Sequence, residues 1–444
     1  MQSNPSSAPV DEPSFRDALG VWFKIGCLGF GGPAGQIALM HRILIDEKKW
    51  INEPRFLHAL NFCMLLPGPE ATQLATYVGW TLHGVRGGLA AGILFVLPGA
   101  LVMLGLSMLY ALGRGISLVD GALFGIKAAV LVIVVEALIR IGRRSLKTAM
   151  LVGIAALAFV AIYFLALPFP LIVALAGLAG YMTAQFAPHL LAVPAAHATP
   201  AVAAAQHWKQ AVLSLAIGMA IWWAPIALAA MLFGSQHVLV AIGLFFSKLA
   251  VVTFGGAYAV LAYMAQAAVE TYGWLSPGEM VDGLGLAETT PGPLILVTQF
   301  VGFLAAFREA APFSPLAAGI VGAALTTWVT FVPAMMWIFA GAHFIETLRN
   351  NRRLSGALAG ITAAVVGVVL NLSVWFALHV LFGKVEEKVS GSLRWFSVEF
   401  ATLDVAAAAL AATAAALVFG LRFGLLATVG AMAALGIGVK LLLA

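Results

Sequence analysis

Long uninterrupted apolar runs separated by short polar stretches set the pattern of this chain. Leu89 to Leu112, Ala149 to Leu167 and Ala211 to Phe233 each meet the roughly 20 residues a helix needs to cross a bilayer core. Backbone polar groups in lipid must be bonded within the segment, and these runs lack the in–out alternation of a membrane barrel. The pattern therefore predicts an all-α polytopic membrane protein. The first thirteen residues form a polar tail with Asp11 and Glu12 and no basic region ahead of a short apolar core, so a cleaved signal peptide is not expected.

Composition agrees with the pattern: 62% of residues are hydrophobic and 10% charged, against roughly 45–50% and 25% in soluble domains. The net charge of +5 would suggest nucleic acid in a soluble protein. Here the basic residues fall mostly between apolar runs, the positive-inside bias of membrane proteins, and no nucleic-acid partner is expected. Cys27 and Cys63 both lie in apolar segments and read as small buried hydrophobes, with no disulfide framework, metal site or cofactor implied.

The chain repeats itself. Phe30-Gly31-Gly32 recurs 224 residues later as Phe254-Gly255-Gly256. The same step carries Lys24 to Lys248, Met40 to Met264, Trp50 to Trp274, and Pro67-Gly68-Pro69 to Pro291-Gly292-Pro293. After an insertion around Phe307 to Pro315 the step becomes 235, placing Pro98 on Pro333 and "GALFGIKAAV" (Gly121 to Val130) on "GALAGITAAV" (Gly356 to Val365), identical at eight of ten places. Two homologous halves are expected, 14–187 and 238–444, joined by a segment, 188–237, that holds a Pro/Ala/His linker and an extra transmembrane helix. Such repeats are common in transporters. If each Pro-Gly-Pro region crosses the membrane once, a half contributes six crossings, the total is about 13, and the halves are inverted repeats. The basic clusters "RIGRRSLK" (Arg140 to Lys147) and "LRNNRR" (Leu348 to Arg353) then share the cytoplasmic face.

The Pro-Gly-Pro motifs interrupt apolar sequence with the poorest helix formers. Proline lacks an amide hydrogen and clashes with the preceding turn, so Pro67–Pro69 should end one helix and start another. Pro69 suits the first position of the new helix and Glu70 its first turn. The helix start so exposed carries roughly half a positive charge and unbonded N–H groups, a ready site for an oxyanion. Gly31 and Gly32 let the backbone turn and an anion approach closely, and Pro33 is placed to open the helix that follows. Gly255, Gly256, Gly292 and Pro293 would supply the matching starts from the second half, so that four sets of donors face one cavity.

Lys24 and Lys248 sit inside apolar helices, where a charge costs about 2.5–3.5 kcal/mol on insertion scales; anion attraction and snorkelling to an interface both account for them. Glu70 after the first Pro-Gly-Pro and Glu288 before the second are the candidate proton carriers, since desolvation favours their protonated forms. A helix-start carboxylate is the plainer reading of Glu70. His58 and Asp282 occupy equivalent positions and suit solvated loops better than a proton path. Gln73, Thr76, Thr298 and Gln299 are candidates to line the cavity or to bond between helices, with Gln73 taken into the substrate site. Glu136 and Arg140 should pair along one helix. Lys127, whose mate is Thr362, looks dispensable to the shared scaffold, and Trp50 and Trp274 read as interfacial anchors.

The motifs "GFGGPAGQIALMHR" (Gly29 to Arg42), Trp50, "LLPGPEATQLATYVGW" (Leu65 to Trp80) and "GVRGGLAAGILFVLPG" (Gly84 to Gly99), with second-half versions "TFGGAYAVLAYM" and "TTPGPLILVTQFVGF", resemble the chromate ion transporter family in its long, two-domain form. The resemblance covers nearly the whole chain outside the tail and linker. It implies a secondary active exporter, an antiporter of the bacterial inner membrane that removes chromate from the cytoplasm and confers resistance, energised by the proton gradient or membrane potential. The partners expected are chromate or a related oxyanion, the lipid bilayer and protons as a candidate coupling ion, with a homodimer as one candidate assembly. The halves differ: Pro33 becomes Ala257, Gln36 becomes Val260 and Glu70 becomes Leu294. Transport of another tetrahedral oxyanion such as sulfate is the nearest alternative. An intramembrane enzyme acting on a lipid phosphate is a different class, against which stands the lack of H-E-x-x-H, phosphate-loop or Ser/His/Asp motifs. A membrane scaffold would gain nothing from broken helices.

Overall fold

The computed structural model describes residues 13–113, 115–191, 208–254, 257–341 and 352–443. Gly255 and Gly256, most of the tail and linker, and residues 348–351 of the second basic cluster lie outside the described residues. The chain is a helical bundle. Helices α1 (Phe15–Leu28), α2 (Gly32–His41), α3 (Glu53–Cys63), α4 (Glu70–Gly113), α5 (Ser117–Ser145), α6 (Ala149–Tyr163) and α7 (Phe169–Phe186) precede α8 (Trp208–Phe233). After it come α9 (Val238–Val252), α10 (Ala257–Gln266), α11 (Pro277–Glu288), α12 (Val297–Arg308), α13 (Pro315–Gly341) and α14 (Arg352–Leu381). Strands β1 (Val385–Ser390) and β2 (Leu393–Val398) follow, then α15 (Val405–Ala415) and α16 (Leu425–Leu443).

Among the described residues, seven helices, α4, α5, α7, α8, α13, α14 and α16, are long and apolar enough to cross a membrane. Others are half-length. Helices α1, α2 and α3 have 14, 10 and 11 residues, about 15–21 Å at 1.5 Å per residue, short of the roughly 30 Å core. Helix α4, at 44 residues, would reach about 66 Å if straight. It is broken at His83 and Gly84, where Gly84 takes φ 60° and ψ −153°. The chain then doubles back: a Cβ on Gly79 would lie 2.4 Å from the Gly87 carbonyl oxygen, and one on Gly92 2.6 Å from Thr76 Oγ1. Residues 70–82 and 85–113 thus form an antiparallel pair locked by small side chains. In the second half α12 and α13 pair the same way, Gly302 on Thr326 and Gly322 on Ala306.

Glycine also decides how the long helices meet. A Cβ on Gly125 of α5 would lie 1.8 Å from the Met432 carbonyl oxygen of α16, and one on Gly360 of α14 2.3 Å from the Ala176 carbonyl oxygen of α7. Gly121 on Ile437 and Gly356 on Ala184 extend the same two seams. Gly125 and Gly360 are related by the sequence step of 235, so the contacts are reciprocal: α5 packs on the last helix of the other half, and α14 on α7. Leucine at Gly125 should lower the detergent melting temperature by several degrees, an overpacking cost of about 1–3 kcal/mol. Gly430→Leu, on α16 with nothing within 4 Å, should leave it unchanged; equal melting of both variants would show that the seam is loose.

One two-stranded hairpin departs from helix among the described residues. β1 and β2 pair antiparallel with Ser390 opposite Leu393, and Gly391 turns the chain at φ 60°. The central Gly-Ser of "VEEKVSGSLRWFSV", a two-residue hairpin turn, carries this signal, which an all-helical expectation passes over. Arg394 pins the hairpin to the carboxyl end of α6: its amide donates to the Phe164 carbonyl at 2.7 Å and its guanidinium to the Ile162 carbonyl at 2.8 Å. It also pairs with Glu270 at 3.3 Å. Carbonyls that a helix end leaves unbonded are satisfied in this way. Glu136 and Arg140 pair at 3.3 Å on α5, as their spacing requires. Trp50 and Trp274, expected as interfacial anchors, are instead buried at 8% and 5% exposed; Trp274 stacks on Tyr272 at 4.3 Å.

Candidate oxyanion site at the helix breaks

Each motif breaks its helix as its residue chemistry dictates. Helix α1 stops at Leu28, Gly31 and Gly32 take φ 87° and 65°, and α2 begins with Pro33 in its first turn and no side chain capping it. Side chains resist those left-handed angles, so glycine is required there. Between α3 and α4, Gly68 takes φ 125°, and between α11 and the turn that leads into α12, Gly292 takes φ 89°. Pro69 directly precedes the first turn of α4, as Pro293 precedes the 3₁₀ turn Leu294–Leu296.

The breaks of the two halves meet. The Gly292 amide donates to the Gly29 carbonyl at 2.9 Å, and the Gly68 amide donates to the Thr253 carbonyl at 2.8 Å. Gly29 and Thr253, like Gly68 and Gly292, are related by the step of 224, so the two bonds are counterparts. Each Pro-Gly-Pro turn is tied to the end of the helix that precedes the other half's Gly-Gly pair in sequence. Mid-span residues of the long helices support both turns: a Cβ on Gly99 would lie 2.1 Å from the Pro291 carbonyl oxygen, and one on Gly68 would lie 3.2 Å from Ala334 Cβ. Gln36 of α2, 1% exposed, donates to the Gly29 carbonyl at 3.2 Å and to the Gly292 carbonyl. Gln73 donates to the Pro67 carbonyl at 2.8 Å, and Gln299 to the Ala100 carbonyl at 2.9 Å.

This packing leaves buried polar atoms without a protein partner: the Oε1 atoms of Gln36, Gln73 and Gln299 and the Thr72 hydroxyl. Buried groups of this kind are nearly always satisfied, which makes these four atoms candidates for bonding to water or a ligand. The halves differ in access. Gly31, Gly32, Pro33, Pro67, Pro69 and Glu70 are partly exposed, with Gly68 buried among them, whereas Pro291, Gly292 and Pro293 are buried. Among the described residues, the breaks of the first half are thus the more open and the second Pro-Gly-Pro is covered.

The carboxylates divide likewise. Glu70 stands half-buried in the first turn of α4. Glu288, 5% exposed, ends α11 and accepts a hydrogen bond at 2.9 Å from the Tyr258 hydroxyl near the start of α10. Thr76 bonds to the Thr72 carbonyl of its own helix and Thr298 to the Ile295 carbonyl of the turn before α12; both are buried, as is Gln73, whereas Gln299, 3% exposed, borders an apolar-walled cleft. Lys24 and Lys248 are not gathered here. Both are exposed, Lys24 one turn from Leu28 at 48% and Lys248 one turn from Leu244 at 47%. Lys248 reaches over the Tyr263 ring at 5.8 Å. Snorkelling along an apolar outer face describes that placement. A cleft of about 750 Å³ lies elsewhere, between α4, α8 and α13, with a wall dominated by apolar side chains such as Leu89, Leu97, Phe331 and Phe339.

Two readings from sequence need correction. Asp282 is not in a solvated loop: it is 1% exposed within α11. Lys127 is not idle, since its Nζ lies 3.2 Å from Asp282 Oδ1. Sequence reasoning also passed over Gln36, Thr72 and Tyr258 as site residues. Gln36 was visible as a polar residue four positions past Gly32; the others carry no spacing that distinguishes them from packing residues.

Comparison with known proteins agrees with this architecture. The chromate transporter family profile matches residues 17–181 and 240–437, on either side of α8. A protein of Pseudomonas aeruginosa named chromate transport protein is 33% identical over 367 residues, covering 80% of this chain and 79% of its own. A probable chromate transport protein of Synechococcus elongatus is 27% identical over 357 residues, 80% and 83% of the two chains. An uncharacterized transporter of Bacillus subtilis, YwrB, is 37% identical over 92 residues, 21% of this chain and 47% of its own. No solved structure matches. With seven membrane-length apolar helices and profile matches in both halves, the chain is a multi-pass membrane protein and belongs to the chromate transporter family, a family of transporters and not of enzymes.

Proposed function

We propose that this chain is a secondary active antiporter that exports chromate across a bacterial inner membrane, driven by the proton gradient or the membrane potential. The halves 14–187 and 238–444 are inverted repeats with about 13 crossings in all. The names of the relatives support the substrate. The reciprocal bonds Gly292 to Gly29 and Gly68 to Thr253 carry the reading: they support a two-fold relation between the halves, the relation that inverted-repeat transporters use to build a shared substrate site.

In the state described, the dianion docks on the first half, at the amides around Gly31, Gly32 and Pro33 and at the α4 start after Gly68 and Pro69. Amide dipoles bind without a full ion pair, so the anion is held and still released. In the opposite state the second half opens, and Gly255, Gly256, Gly292 and Pro293 take the same part. Glu70 and Glu288 carry the counter-moving proton. Inside-out vesicles bearing the chain should accumulate chromate when energised and lose it when a protonophore is added. Uptake no greater than in vesicles without the chain, at verified membrane abundance, contradicts the reading; uptake of sulfate in place of chromate corrects the substrate.

A further inference from the structure

A charged cluster lies inside the bundle away from the breaks. Asp282 accepts a hydrogen bond from the Tyr110 hydroxyl at 2.9 Å and pairs with Lys127 Nζ at 3.2 Å. Helix α11 is 12 residues long, about 18 Å, and Asp282 stands midway between its start, capped by Ser276, and the second Pro-Gly-Pro. Lys127 is the more accessible partner: its side chain is 26% exposed against 1% for Asp282. A Cβ on Gly278, in the first turn of α11, would lie 3.5 Å from Nζ. The ammonium thus sits on the α11-start side of the carboxylate, where an arriving anion meets it first.

Other cations are engaged differently. Arg308 is held by Glu279 at 2.7 Å and by the Trp274 carbonyl, Arg394 by two carboxylates and the α6 carbonyls, and Arg140 by Glu136. Lys24 and Lys248 face outward. A lysine within a spanning helix is costly and usually functional, and packing alone does not ask for it: its mate Thr362 simply bonds to the Leu358 carbonyl of its own helix at 2.8 Å. The close seat of α11 on α5, with Gly285 against Ile126 and Val130, holds the pair at the seam between two elements.

We propose that Lys127 is a station for the oxyanion on its way between the breaks and the membrane face where α11 begins, and that Asp282 is its resident competitor. The inference rests on the oxyanion-transport reading. Without substrate the carboxylate neutralises the ammonium. An arriving dianion displaces it, Tyr110 keeps the freed carboxylate bonded, and return of Asp282 to Lys127 drives the anion onward. Competition of this kind makes opposite predictions for the two partners, which a merely structural ion pair does not.

The test is the KM of chromate uptake in inside-out vesicles at matched abundance. Asp282→Asn should lower KM about tenfold and slow turnover, whereas Lys127→Gln should raise KM at least about tenfold. The uncharged pair Lys127→Met with Asp282→Asn, which keeps an acceptor for the Tyr110 hydroxyl and which a structural role tolerates, should insert normally and still show the raised KM. An unchanged or raised KM in Asp282→Asn, or a parental KM in the uncharged pair, overturns the inference. If the parent moves no chromate, the transport reading falls by itself. The station is then tested by thermal stabilisation of purified protein with chromate or sulfate, and equal stabilisation of the parent and Lys127→Gln overturns it.

Discussion

Gly99→Leu is expected to abolish chromate uptake. The Cβ position of Gly99 is 2.1 Å from the Pro291 carbonyl oxygen and 2.7 Å from Leu296 Cδ1, and the first of these is backbone that cannot swing aside. A leucine there must push α4 off the second Pro-Gly-Pro turn and pull Gly292 from Gly29, separating the two sets of breaks. Overpacking of this severity costs about 3 kcal/mol, roughly a 100-fold loss of the assembled site. Gly105, six residues along the same helix, has nothing within 4 Å of its Cβ position. Gly105→Leu should therefore transport as the parent does. Uptake in vesicles, with abundance measured by immunoblot, checks the pair; similar uptake by both variants would mean that the contact between α4 and the turn is not needed.

The second large effect is expected at Glu288. Its carboxyl accepts the Tyr258 hydroxyl at 2.9 Å in a buried setting, and a glutamine preserves that bond because its amide oxygen still accepts. What glutamine cannot do is gain or lose a proton. Glu288→Gln should thus stop accumulation driven by a proton gradient, while exchange of labelled for unlabelled chromate at zero gradient persists. Removing a group that carries a proton typically lowers a rate by about 10²–10⁴-fold. Loss of both activities would instead assign Glu288 to binding or folding, and retention of both would free it of any part in coupling.

The sequence disclosed the chemistry of single segments better than their partners. Pro67-Gly68-Pro69 and Gly31-Gly32 had to break helices because no other reading satisfies proline's missing amide and glycine's angles, and both breaks occur. The step of 224 showed which residues correspond but not that Gly68 faces Thr253 of the other half, since equivalence in sequence says nothing of which copies touch. Lys127 and Asp282 illustrate the same blindness: their partnership spans two helices far apart in the chain, and a mate of threonine made the lysine look expendable. Lys24 and Lys248 left anion attraction and snorkelling both open; the structure places the two on exposed helix faces beside Leu28 and Leu244, a placement that recurrence in the two halves does not reveal. The hairpin at Val385 was readable from its Gly-Ser turn, but lay between runs whose apolar character dominated.

The claim on which the rest depends is that broken helices from both halves converge and hold the anion with backbone amides. Crystals of the full chain grown with chromate, measured at the chromium absorption edge, test it directly. The account predicts an anomalous peak beside the starts of α2 and α4, with oxygens about 2.7–3.2 Å from amide nitrogens, and Gly292 and Gly68 still bonded across the halves. A peak confined to the cleft between α4, α8 and α13, or continuous helix through Pro67–Pro69, would contradict it.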